Sequence, residues 1–180
     1  MTKLLMQRLG ASALMLSVGL MFSSCSSCKP GKPGPTGKYN IELDLDPSLK
    51  DASVAVDVIG VAPMTLPRWE NYSMKSYWEP QDEMRAGADK ITFTLGSGNV
   101  MSHTVPMTDP KWNDWFSHGV TYIVVLADLP GVIDDKVGSL DARRQELPLD
   151  KCSWGDGTTN LTLSIKRSGI EVLSLTRPSP

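Results

Sequence analysis

Two histidines, His103 and His118, and three cysteines, Cys25, Cys28 and Cys152, are all the imidazoles and thiols this chain has for metal or nucleophile chemistry. Neither histidine has a ligand-type residue one helical turn on, and no cysteine pair in the body of the chain has zinc spacing. His118 stands directly before Gly119, where a helix end welcomes partial positive charge. No G-x-S-x-G elbow, phosphate-cradling P-loop or dinucleotide glycine pattern occurs. Asp128, Asp134, Asp135 and Asp141 gather in "ADLPGVIDDKVGSLD". Hard oxygen ligands suit calcium, but this spacing fits no EF-hand loop, and the run reads as a solvated acidic loop. A hydrolase built there would need two carboxyls with separated pKa values in one cleft, and nothing in the run signals such a pair. The residues point to a protein without catalytic machinery, metal or cofactor.

What remains is surface chemistry. Trp69, Tyr72, Tyr77 and Trp78 fall within ten residues, and Trp112, Trp115 and Phe116 form a second aromatic group. Flat rings stack on sugars or anchor protein partners; they also close the ends of a core, since each buries a large area. The second group sits on one face of a helical run and reads as core. The first, ending in the ragged "SYWEP", is the candidate aromatic binding surface. It supports an alternative function, a binder of envelope carbohydrate or peptidoglycan.

The thiol at position 25 has a more specific context. Lys3 and Arg8 lead a run of 13 apolar or small residues, 10 to 22, followed by Ser23, Ser24 and Cys25. The run is too short for a membrane span of about 20 residues and matches the core of an export signal. Small residues running into cysteine resemble the bacterial lipoprotein signal, cut before Cys25. The resemblance implies diacylglycerol on the sulfur, a further fatty acyl chain such as palmitate on the new amino terminus, and a membrane partner held through lipid. Ser26, a non-acidic residue after the cysteine, implies the outer membrane, with the chain facing the periplasm.

Residues 1–24 are then signal peptide, 25–38 a stalk and 39–180 one domain. In the stalk, prolines 30, 33 and 35 alternate with glycines 31, 34 and 37, which excludes helix and sheet. Fully extended, it would reach roughly 40 Å. Cys28 and Cys152 could pair in an oxidising compartment, but Cys28 lies in this flexible run, and the expectation is no bridge. Without the signal the chain carries 16 basic against 20 acidic side chains. That balance, with no basic cluster, excludes nucleic acid as partner.

The elements that must carry these residues are mostly strands. "YNIELDLDP" and "SVAVDVIGV" alternate apolar and polar residues as half-buried strands do. "KITFTL" and "VMSHTV" follow, then "VTYIVVLA", continuous enough for a central strand covered on both faces. "RRQELPL" and the hairpin "NLTLSIKRSGIEVLSL", turning near Ser168 and Gly169, complete the set. One helix is predicted in "PRWENYSMKSYW". A second is predicted in "TDPKWNDWFSHG", with Asp109 as cap, Pro110 in the first turn and Gly119 at the exit. Seven or eight strands and two short helices in about 140 residues make an all-β sandwich, transthyretin-like or immunoglobulin-like.

Taken in order, these patterns resemble the outer-membrane lipoprotein of type VI secretion systems. The residues that carry the likeness are the cysteine and short stalk, "IELDLDPSL", "VAVDVIGV", an aromatic helical insertion, "YIVVLADLPG", "RRQELPL" and "LTLSIKRSGIEVLSL". The resemblance implies a transthyretin-like sandwich with added helices. It also implies a protein partner in the envelope, the periplasmic part of an inner-membrane anchoring protein, held partly through the loop after the first strand. Here that loop is Pro47, Ser48, Leu49 and Lys50, with Leu49 as its apolar contact.

Overall fold

The computed structural model describes Cys28, residues 33–132 and residues 134–176. Eight strands form two four-stranded sheets: β1 (Asn40–Leu45), β2 (Val54–Val61), β3 (Lys90–Leu95), β4 (Ser102–Val105), β5 (Tyr122–Ala127), β6 (Arg144–Pro148), β7 (Asn160–Lys166) and β8 (Gly169–Val172). One sheet has the order β4-β1-β7-β8 and the other β3-β2-β5-β6. All neighbours are antiparallel except β1 and β7, which run parallel with Ile41 opposite Leu161 and Leu43 opposite Leu163. The expected all-β sandwich is the observed fold.

Alternation builds the main core. Ile41, Leu43 and Leu45 of β1, Val54, Val56 and Val58 of β2, and Leu161, Leu163 and Ile165 of β7 meet between the sheets, almost all without solvent exposure. Trp112 and Trp115 enter it from a helix, α4 (Lys111–Ser117), in the connection from β4 to β5. The ring of Trp115 lies where a Cβ on Gly60 would overlap it, so only glycine admits the helix this close to β2. Asp109 caps α4 by accepting from the Lys111 amide at 2.8 Å, and Gly119 leaves it with φ +71°.

Between β2 and β3 the chain differs from expectation. The single helix predicted over residues 67–78 is two, α1 (Leu66–Asn71) and α2 (Met74–Tyr77), and a third follows, α3 (Glu83–Ala86). Tyr72 is extended (ψ 137°) because Ser73 starts a new helix, its hydroxyl accepting from the Ser76 amide at 3.1 Å. Asp82 caps α3 in the same way through the Arg85 amide, at 2.7 Å. These turns cover the outer face of the second sheet. Trp69, Met74, Tyr77 and Met84 form a second core there with Ile59, Val61, Val124 and Leu126. Strand β2 is consequently buried on both faces rather than one.

The amino-terminal segment also corrects the sequence reading. Cys28 is bridged to Cys152, with Cα atoms 5.5 Å apart and 124 residues between them in sequence. The expectation of no bridge assumed that Pro and Gly leave the segment loose. Instead its second half is tied down. The Gly34 amide donates to Asp150 Oδ1 at 3.1 Å, the Lys151 amide to the Pro35 carbonyl at 3.0 Å, and the Gly37 amide to the Leu149 carbonyl at 2.8 Å. A Cβ on Gly34 would strike the Cys152 sulfur, so this glycine is what lets the strap lie beside the bridge. Residues 34–38 therefore belong to the folded body and not to a free stalk. No helix among the described residues is long and apolar enough to cross a membrane.

Candidate functional site

Cys25, the expected lipid attachment point, lies outside the described residues, as do the rest of the signal and residues 29–32 of the segment that follows. The loop after β1 is the expected partner contact. Pro47–Leu49 form one 3-10 turn, capped by Asp46, whose Oδ1 accepts from the Ser48 amide at 2.9 Å. The Ser48 side chain first, and then its amide, hold the Asp46 carboxyl below its ordinary range by hydrogen bonding. The loop is braced from two sides. The Asp46 amide donates to the Ile165 carbonyl at 2.9 Å, and Arg167 Nη2 to the Ser48 carbonyl at 3.3 Å. Pro47, Ser48 and Lys50 face solvent, but Leu49 has no exposure and packs in the main core. The loop thus offers a rigid polar tip. Leu49 anchors it from inside and is not an apolar contact.

The aromatic surface proposed from sequence is also displaced inward. Trp69 is 7 % exposed and Tyr77 fully buried. The Tyr77 ring meets Trp69 and Trp78 edge-on, at 6.0 and 5.1 Å between centroids. Tyr72 and Trp78 are half-buried; the Arg85 guanidinium covers Trp78 at 4.4 Å, and Tyr72 donates to Asp82 Oδ2 at 2.6 Å. Trp69 and Tyr77 fill the second core, and the partly exposed Tyr72 and Trp78 pack against it. Trp112 and Trp115 are core residues as expected, and each indole N–H is satisfied by a carbonyl, that of Pro106 or Asp89.

Three buried polar clusters escaped the sequence reading. Asp57, in the middle of β2, is fully buried. It accepts from Tyr77 Oη at 2.7 Å, Arg85 Nε at 2.9 Å and Thr92 Oγ1 at 2.6 Å. Burial, then the hydrogen bond to Asp57, pushes the Tyr77 phenol far above its usual range. In the second cluster Arg143, nearly buried, binds Asp141 through Nε (2.9 Å) and Nη2 (2.8 Å) and Asp135 at 2.5 Å. Asp135 in turn accepts from the Lys75 amide at 3.0 Å and from the Ser73 hydroxyl. Burial alone would raise both carboxyls, but the hydrogen bonds to them and the Arg143 charge hold both below their ordinary range. In the third, Arg144 donates to the carbonyls of Glu70 and Tyr72, pinning α1 to β6.

The acidic loop is solvated in part, as expected, since Asp128 and Asp134 are exposed, whereas Asp141 is fully buried. Asp141 and Asp135 share the Arg143 guanidinium within the loop, and Asp135 itself ties the loop to α2 through the Ser73 hydroxyl and the Lys75 amide. Among the described residues no group of three or more His, Cys, Asp or Glu side chains is arranged to hold a metal ion. His103 stacks on Phe93 at 4.2 Å, and His118 ends α4 with Nδ1 3.5 Å from Asp89. A shallow cleft of about 250 Å³ lies between β2 and the helices, lined by Thr65, Arg68, Trp69, Glu83, Met84 and Asp89 among others.

No protein-family model matches the chain, and no curated protein matches it. Solved structures do. Serratia marcescens Lip, a membrane-bound component of the type VI secretion system, aligns at 14% identity over 78% of this chain and 98% of that one, with a TM-score of 0.50. A chain of a type VI membrane complex aligns at 13% identity over 75% of this chain and 96% of that one, with a TM-score of 0.51. The likeness is one of fold. It bears out the resemblance read from the order of the strands, since nearly the whole of each known chain is covered. At these identities the likeness carries the fold alone, and no residue role passes from those proteins to this chain.

Proposed function

We propose that this protein is a lipid-anchored, non-enzymatic component of an envelope complex of the type VI secretion kind. In this reading fatty acyl chains on Cys25 hold it to the periplasmic face of the outer membrane, and its sandwich docks an envelope protein through the loop of Pro47, Ser48 and Lys50. The observation that carries the reading is the sandwich itself, whose solved relatives include a membrane-bound component of that system. The leader ending in Ser23, Ser24 and Cys25 supports it independently. So does the braced loop tip, since a surface ordered before contact loses less entropy on binding. Anchoring would also raise the local concentration of the two partners without any added contact. The carbohydrate-binding alternative has less support, because Trp69 and Tyr77 are buried and the Arg85 guanidinium covers Trp78.

The test is co-purification of the fatty-acid-labelled protein from its own membranes under mild detergent. An anchoring or secretion component is expected among the captured envelope proteins, and its recovery should drop when Pro47, Ser48 and Lys50 are replaced together by Gly, Ala and Glu. Capture of peptidoglycan fragments instead, with no such component, would reject the reading.

A further inference from the structure

The bridge from Cys28 changes how far the sandwich can stand from a membrane. This inference rests on the lipid anchor at Cys25 proposed above. Three peptide units separate Cys25 from Cys28, and a chain extends at most about 3.6 Å per residue. The free leash is therefore about 10 Å. Without the bridge the first described tie to the body is the Gly34 amide on Asp150, nine units from Cys25, which allows about 30 Å.

We infer that the Cys28–Cys152 bridge holds the 149–155 edge of the sandwich against the lipid surface, so that Lys151 and Leu175 meet an anionic headgroup layer. Lys38, whose Nζ donates to Asn113 Oδ1 at 2.7 Å, is turned to α4 instead. The edge suits that contact. Lys151 is exposed and adjoins the bridged cysteine, and the stem of Lys151 lies over Gly37, next to Lys38. Leu175 is 80 % exposed, and its carbonyl accepts from the Gly155 amide at 3.0 Å, three residues past Cys152. A leash of about 10 Å is close to the Debye length of about 8 Å at physiological salt, so the Lys151 charge stays within reach of anionic lipid. Asp150, the acid of this edge, faces inward to the Gly34, Cys152 and Ser153 donors, which keep its carboxyl ionised. The same orientation turns the opposite end of β1, with Pro47, Ser48 and Lys50, away from the bilayer and toward a partner.

The experiment uses the full lipidated protein in vesicles of phosphatidylethanolamine and phosphatidylglycerol. Lysines are labelled with a membrane-impermeant amine reagent and read by mass spectrometry. The expected result is a loss of labelling at Lys151 when vesicles are present, with Lys50 and Lys136 unchanged. In a Cys28→Ser/Cys152→Ser double variant, or in wild type after mild reduction, the protection at Lys151 should disappear. Equal labelling of Lys151 with and without vesicles, in oxidised protein shown to carry fatty acid, would overturn the inference and leave the lipid anchor standing. Absence of fatty acid on the protein would remove the anchor, and the inference with it.

Discussion

At the scale of single residues, the charges hidden in the fold are its least redundant parts. Asp57 is fully buried and accepts three hydrogen bonds, one of them from the Arg85 guanidinium. Replacing it with alanine would leave a tyrosine hydroxyl and a half-exposed arginine without their acceptor. A fully buried pair broken in this way costs about 3–5 kcal/mol; partial exposure of Arg85 brings the expectation for Asp57→Ala to about 2–3 kcal/mol, read from the urea midpoint. The Arg143 latch predicts a pH dependence. Asp135 and Asp141 titrate below the ordinary carboxyl value of about 3.9 in the folded state. Their contribution is therefore complete above about pH 5 and is lost as pH falls through the depressed folded values. Glu146 runs the other way: burial, then the nearby Glu70 charge, raises its carboxyl against the pull of Arg144. Its contribution is present at low pH and fades as pH rises. Urea midpoints between pH 3 and 7 should fall on the acid side in the wild type and change less in Asp141→Asn; equal slopes would mean the latch stores no pH-linked stability.

At the scale of elements, the sequence carries local order well and long-range pairing poorly. The alternation in "KITFTL" and "NLTLSIK" reappears as β3 and β7 because side chains of successive residues face opposite sides of a sheet, and that period is local. The parallel pairing of β1 with β7, some 120 residues apart, has no local signal. Asp57 was illegible for a related reason. A charge inside "VAVDVIGV" reads as the solvent side of a half-buried strand, and only the turns of α1 to α3 folded over that side bury it. Leu49 failed in the opposite sense: an apolar residue between exposed neighbours in a short loop reads as a contact point, whereas the capped turn aims it at the core. The aromatic helix α4, in contrast, was legible from its cap, spacing and exit glycine. Its packing yields a prediction. Gly60→Ala should push the Trp115 ring off β2 and cost about 1–3 kcal/mol, as overpacking of a filled core does. A urea midpoint equal to that of wild type would show that α4 can shift freely, against the packing described.

At the scale of the molecule, the bridge joins the start of the body to the segment before its last hairpin, across 124 residues. A loop of that length has a large closure entropy in the unfolded chain, and in the chain-entropy model its removal costs about 5 kcal/mol at most, with about 2–5 kcal/mol usual for small exported domains. The folded sandwich should itself survive the loss. Gly34, Gly37 and Lys151 still make their backbone hydrogen bonds, and neither core depends on the sulfurs. Reduction, or Cys28→Ser/Cys152→Ser, should accordingly lower the urea midpoint while leaving the far-ultraviolet circular dichroism of the native baseline unchanged. The size of the drop reports on the unfolded chain. If the reduced chain kept the two cysteine positions close when unfolded, little closure entropy would be restored and the midpoint would barely move. A loss of several kcal/mol would instead show that the unfolded chain gains the full freedom of a loop of 124 residues, so that the bridge acts through the unfolded state and not through contacts of the sandwich.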